Sequence, residues 1–175
     1  VRLYGSLPLI LQGSSTTVGD PFLSTAVQLY SGFGLVRSIE VEASAKAPLN
    51  GLESGVGTGE WDYAVGGTAA LAVLGAYVFL DAAWWRYGDL PELELQDGLS
   101  IGAGLGVPLS RRVWVSAMAS RSSRILASTE PPSSIAGGLS YQAGGVGWSL
   151  MVGTGVSESA GGATVSVGWR VPLQR

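Results

Sequence analysis

Residues 64–85, AVGGTAALAVLGAYVFLDAAWW, admit two readings, and each gives a different protein. The run is long and apolar enough for a membrane-spanning helix, which needs about 20 such residues. Asp81 is its only charge, a helix gives that charge no refuge, and Gly66, Gly67 and Gly75 weaken the helix further. The alternative splits the stretch at Gly75 into a β-hairpin with arms over residues 60–74 and 76–87. Each arm then suffices for a tilted transmembrane strand of about 9 to 11 residues. Beyond Gly75, Val78, Leu80, Ala82 and Trp84 share an outward face, and Tyr77, Phe79, Asp81, Ala83 and Trp85 share the inward one. Before it, Tyr63, Val65, Ala69, Leu71 and Val73 oppose Asp62, Ala64, Gly66, Thr68 and Ala70. The hairpin therefore puts the lone charge on an inner wall.

The rest of the chain arbitrates. Of 175 residues, 46% are hydrophobic and only 13% charged, against roughly 25% charged in an ordinary soluble domain. Lys46 is the single lysine, so something other than water is expected to cover part of the surface. A net charge of −3 with no basic run gives no sign of a nucleic-acid partner. The absence of Cys removes disulfides, thiolate metal sites and cysteine nucleophiles. Val1 opens directly in strand-like sequence, as expected after removal of a signal peptide or inside a longer protein.

Period-two alternation recurs along the chain. Leu3, Leu7 and Leu9 oppose Arg2, Tyr4, Ser6 and Pro8; GSSTTVGD reads as a polar loop; Leu23, Thr25, Val27 and Leu29 then oppose Ser24, Ala26, Gln28 and Tyr30. Ile39, Val41, Ala43 and Ala45 oppose Ser38, Glu40, Glu42, Ser44 and Lys46. After the hairpin come segments around residues 99–107, 113–120, 135–143, 148–156 and 163–171, whose second face is mostly Gly, Ser, Ala and Thr. That makes about ten strands with no competing helix.

Connections alternate in length. Those near residues 11, 48, 88 and 122 are long, whereas those at Ser31, Leu74, Leu109 and Gly144 are tight. Outer-membrane barrels have this asymmetry, with short periplasmic turns and longer external loops. Acidic residues (Glu53, Glu60, Asp89, Glu92, Glu94, Asp97, Glu130, Glu158) gather on the long-loop side, and Arg37, Arg111 and Arg112 at the short turns. Tyr4, Tyr30, Phe33, Trp61, Tyr63, Trp84, Trp85, Tyr87, Trp148 and Trp169 cluster near strand ends, as interfacial girdles do. The expected fold is thus all-β: one domain over residues 1–175, an antiparallel up-and-down transmembrane β-barrel in the bacterial outer membrane. A soluble β-barrel or sandwich, with the apolar face in a core, stays open as the rival, as does a helical membrane protein.

Several segments resemble the outer-membrane transporters grouped as the MetA-pathway phenol-degradation family. They are VGDPFLSTAVQLY, EASAKAPLNG, GVGTGEWDYAVGG, WWRYGD and the final TVSVGWRV, spread in the expected order over nearly the whole chain. Where that family usually closes on an aromatic residue, this chain has Val171 followed by PLQR. Members also tend to have strands ahead of the first one here, so the resemblance leaves open an incomplete barrel of about twelve strands. It implies an outer-membrane barrel passing hydrophobic or aromatic compounds.

The chain has no His, so a Ser-His or Asp-His pair and a three-His zinc site are unavailable. The GTG and GAGLG runs lack the GK[ST] of a phosphate loop. No metal, cofactor or enzymatic activity is therefore expected. The candidate site is the inward charge set of Glu40, Glu42, Lys46, Asp62 and Asp81, with Arg2 and Arg170 near the seam and Tyr77, Phe79 and Trp85 flanking a polar constriction. In a lumen these charges pair or line a wet path, because isolated buried charge is costly. Two functions follow: passive passage of small hydrophobic or aromatic solutes, or a scaffold barrel with a blocked lumen that binds other envelope proteins. Expected partners are the bilayer, with the lipopolysaccharide side meeting acidic loops, a small solute and envelope proteins.

Overall fold

The structure is a computed structural model, and it describes residues 1–12, 15–51, 58–88, 95–124, 126, 128–160 and 162–173. Glu53, Asp89, Glu92 and Glu94 lie outside the described residues. The elements are β1 (Arg2–Gln12), β2 (Ser15–Val18), β3 (Phe22–Ser31), β4 (Val36–Lys46), β5 (Asp62–Val73), β6 (Ala76–Arg86), β7 (Gly98–Pro108), β8 (Val113–Ser122), β9 (Ser133–Ala143), β10 (Val146–Gly155) and β11 (Ala163–Pro172). One short 3-10 turn, Glu158–Ala160, precedes β11. Residues 64–85 belong to β5, a two-residue turn and β6, and among the described residues no helix is long and apolar enough to cross a membrane.

Apart from β2 and β3, which both pair with β1, each strand pairs antiparallel with its neighbours in chain order, and β1 closes on β11 from Arg2↔Pro172 to Leu11↔Ala163. The GSSTTVGD segment departs from its reading as a loop. Ser15–Val18 pairs with the top of β1, and β3 continues along the bottom of the same strand from Ser6↔Phe22 to Arg2↔Ala26. β2 and β3 are therefore successive parts of one stave, interrupted where Gly19 N–H donates to the Pro8 carbonyl at 2.8 Å. The wall closes with ten staves. This corrects the twelve-strand alternative, because the β1–β11 ladder leaves no open edge for further strands.

The two faces of this wall separate the membrane reading from the soluble one. Among the described residues the buried hydrophobic ones are only Ala26, Ala64 and Ala70, and no large side chain is fully buried. The outward rows stay uncovered: Leu7, Leu23, Val65, Leu80, Leu99, Leu105, Leu139, Leu150 and Val167 are all exposed. A soluble β-fold gains its stability by burying such rows against one another. Here they form an apolar belt around a closed barrel, which is the arrangement lipid stabilises.

Aromatic residues bound the belt. Near the long-loop end Trp61 and Tyr63 stack with centroids 6.3 Å apart, and Trp84 projects outward beside them. At the short-turn end Tyr141, Trp148 and Trp169 follow one another along a single hydrogen-bonded row of β9, β10 and β11. Tyr4 and Trp85, also near strand ends, point into the barrel as their alternation predicts, where Tyr4 meets Glu40 and Trp85 meets Ser100. In both, local alternation decides the face, and it outranks proximity to a strand end.

The turn that splits the opening stretch has positive φ at both central residues, 51° at Leu74 and 84° at Gly75. Such a turn matches the twist of a hairpin, but leucine adopts it at a cost of roughly 1–2 kcal/mol. Leu74 is fully exposed, so it gains nothing in return from packing in the isolated barrel. Leu74→Asn is expected to raise stability by about 1 kcal/mol. The urea midpoint of the barrel refolded in lipid vesicles checks this; an unchanged or lower midpoint counts against it.

Candidate functional site in the barrel lumen

The alternation that turns Leu and Val outward turns the charged set inward, and the structure divides that set into separate groups at different heights. At the long-loop end Lys46 Nζ lies 3.1 Å from Asp20 Oδ2 and 2.7 Å from Asp62 Oδ2. Both carboxylates are buried, with side-chain exposures of 3% and 4%, so one ammonium serves two acids. Asp20 Oδ1 also accepts from the backbone N–H groups of Leu49 and Asn50 at 3.0 Å. The Asn50 side-chain amide donates to the same oxygen at 3.1 Å. Asp62 Oδ1 accepts from Gly88 N–H at 3.0 Å. The cluster thereby fastens the start of the loop after β4 and the start of the loop after β6 to the barrel rim.

Burial pushes the Asp20 carboxyl upward, but Lys46 and Asn50 together outweigh it and hold Asp20 below the ordinary carboxylate range. Beside the cluster Tyr87 is pushed up to about 12 by burial and by the charges of Asp62 and Asp97, so its hydroxyl stays protonated.

Lower in the barrel Arg2 forms an ion pair with Glu40, donates to Gln28 Oε1 at 3.1 Å, and leaves Glu40 Oε2 to the Tyr4 hydroxyl at 3.2 Å. Arg170 stands apart from this group and reaches Gln142 Oε1 at 3.5 Å. Between the two clusters Glu42 and Asp81 interact electrostatically as like charges, and neither makes an ion pair among the described residues. Register explains their approach: Glu42 pairs with Gly66, which presents no side chain, and Asp81 pairs with Thr68 one step along the same strand.

The aromatic residues divide likewise. Tyr77 stacks on Phe79 at 6.5 Å and meets Trp114 at 5.0 Å, low on the wall. Trp85 belongs to the upper mouth, 5.9 Å from Phe22, and its indole N–H donates to Ser100 Oγ at 3.1 Å. Tyr77, Phe79 and Trp85 thus do not flank one ring. Asp81 and Phe79 are accommodated by missing side chains on β7: a Cβ at Gly102 would come 2.5 Å from Asp81 Oδ1, and one at Gly106 would come 2.8 Å from the Phe79 ring.

The lumen is consequently lopsided. Inward residues of β3, β4 and β5 are packed, with Ser24, Ala26, Ser44, Asp62, Ala64 and Ala70 buried. The facing inward positions of β8 to β10, Ser116, Ser120, Ala136, Ser140, Ser149 and Gly153, remain half-exposed. The strand pattern alone missed Asp20, Asn50, Gln28, Phe22 and Trp114 as site residues. Asp20 carries a readable signal, an acid between Gly19 and Pro21 where a strand starts, but its partner Asn50 lies across a loop and no period connects them.

No family model and no curated protein matches the chain. Among solved structures, LpxR from Salmonella typhimurium superposes with a TM-score of 0.49 at 11% identity, over 98% of this chain and 99% of that one. A structure from work on the mechanism of in-meso crystallisation of membrane proteins gives a TM-score of 0.46 at 10% identity, over 98% and 85% of the two chains. At these values no residue role transfers. The likenesses accompany the barrel fold, and nothing in them supports the phenol-degradation family in particular. The expectation that the chain is no enzyme is corrected here: LpxR, which this chain resembles in fold, is an outer-membrane enzyme.

Proposed function

We propose that residues 1–175 form one barrel domain seated in a bacterial outer membrane, long loops outward, and that it passes small solutes passively along the Gly/Ser side of its lumen. The observation that carries this reading is the half-exposed inner wall of β8 to β10, facing a wall already filled by its own side chains. Tyr77, Phe79 and Trp114 offer aromatic surface on the path, which favours the aromatic or hydrophobic solutes that the family resemblance implies. Solute-dependent swelling of liposomes holding the folded barrel, with folding verified by heat-modifiable gel mobility, tests the reading. A folded barrel that passes no solute sinks it.

The charges of the path give it a sign. Among the described residues Arg2 and Lys46 pair with three acids, Arg170 reaches only Gln142, and Glu42 and Asp81 make no ion pair, so carboxylates outnumber cations on the inner wall. Small cations are therefore expected to pass more readily than anions. The double change Glu42→Gln with Asp81→Asn is expected to reduce that preference several-fold, read as the reversal potential across a salt gradient in planar bilayers. An unchanged reversal potential counts against a path beside these two carboxylates.

A second reading is favoured by the upper mouth, where the Phe22–Trp85 contact and the Lys46 cluster fill the β3–β6 side. On it the barrel is a scaffold whose loops hold envelope partners. Loop deletion that abolishes a partner complex and leaves flux unchanged supports this alternative.

A further inference from the structure

The outward face of the wall is not uniform. Where most staves carry Leu or Val, Ala103 pairs with Ala119 and Ala117 pairs with Gly137, so four adjacent outward positions have a methyl group or less. Leu105 and Val152 stand on either bank. They belong to an apolar depression of about 870 Å³, lined mostly by outward residues from Val78 on β6 to Ala163 on β11. It lies between the girdles: Gly137 is two outward steps from Tyr141 on β9, and Val152 is two from Trp148 on β10.

One step above Ala119 on the same face of β8, about 7 Å along the strand, stands Arg121. It is exposed, registers with Ile101 and Ser133, and makes no ion pair among the described residues. An unpaired guanidinium is thus set at the rim directly over a hydrocarbon-lined hollow. A second copy presenting the same face across a two-fold axis would set hollow against hollow and leave a void. A flexible acyl chain fills such a shape, and a phosphate satisfies a guanidinium through charge-assisted hydrogen bonds.

We propose that this groove is a docking site for a membrane lipid with a phosphate headgroup, its acyl chain lying over Ala117 and Gly137 and its phosphate on Arg121. The site rests on the membrane seat and orientation proposed above, and it does not require the lumen to conduct.

The test is native mass spectrometry of the barrel released from nanodiscs of phosphatidylcholine containing phosphatidic acid with the same chains. Folding and insertion are read separately by heat-modifiable mobility. Wild-type barrel is expected to retain phosphatidic acid about tenfold over phosphatidylcholine, and Arg121→Gln to remove that discrimination. Filling the hollow with Ala117→Leu and Gly137→Leu is expected to abolish retention. The second change fits the fold, since a Cβ at Gly137 meets nothing nearer than the Ser116 carbonyl at 3.8 Å.

Equal retention by wild-type and filled barrels overturns the groove, as does a filled variant that alters only the oligomeric state. Palmitate or inorganic phosphate held as firmly as phosphatidic acid overturns the lipid assignment. A chain that stays monodisperse without detergent and never inserts overturns the membrane seat instead, and the mobility assay tells that failure from the others.

Discussion

Lys46→Met is expected to destabilise the barrel by about 3 kcal/mol, because it leaves two buried carboxylates with no cation between them. Lys46 keeps 24% of its side chain exposed while Asp20 and Asp62 keep 3% and 4%, so the acids lose more than the lysine does. Removing one acid as well should return part of the loss: Lys46→Met with Asp62→Asn is expected to lie between wild type and the single variant. The pH dependence follows from the same geometry. In the wild type Asp20 is held below its unfolded value. Its contribution is therefore complete above the unfolded carboxylate range, about pH 4, and is lost as pH falls through the lower folded value. Without Lys46 the burial of Asp20 prevails, its folded carboxyl binds protons more readily than the unfolded one, and stability falls as pH rises from about 4 toward neutrality. Urea midpoints in lipid vesicles at acid and neutral pH check both slopes. A Lys46→Met barrel that matches wild type at neutral pH rules out the shared-lysine account.

The contrast between that cluster and the rest of the wall shows what a period of two can reveal. Alternation placed Asp81, Glu40 and Glu42 on the inner wall, and residues 64–85 divide at the turn it marks. It did so because one face of every stave must be compatible with lipid, and a one-residue slip would reverse every side chain. Which inward groups meet is set by register and shear between staves, and no single strand encodes either. Their seam positions put Arg2 and Arg170 together in the sequence, yet Arg2 reaches Glu40 on the far side of β3. Asp20 was legible as an acid at a strand start, but only the closed barrel brings Lys46 and Asp62 to it. The polar residues of Ser15–Val18 read as loop, and pairing to the top of β1 makes the segment strand.

The second large effect separates the two sides of the wall directly. Leu80 is outward and 46% exposed, near the middle of β6, two outward steps from Trp84. Arginine on the lipid face of a transmembrane barrel costs about 2–4 kcal/mol at the bilayer midplane and little near its edges. Leu80→Arg is therefore expected to lower the stability of the inserted barrel by about 3 kcal/mol. Ser116→Arg, the same new charge placed on the half-exposed inner wall of β8, is expected to cost less than about 1 kcal/mol, because water and the carboxylates of the lumen solvate it. The order of the two costs distinguishes lipid from water on the outer face. If water bathed the outer rows, an arginine at position 80 would be nearly neutral and the inner position would be the damaging one. Matched urea titrations of the two variants in lipid vesicles decide between these orders, and a Leu80→Arg barrel as stable as wild type would mean that lipid does not cover this face.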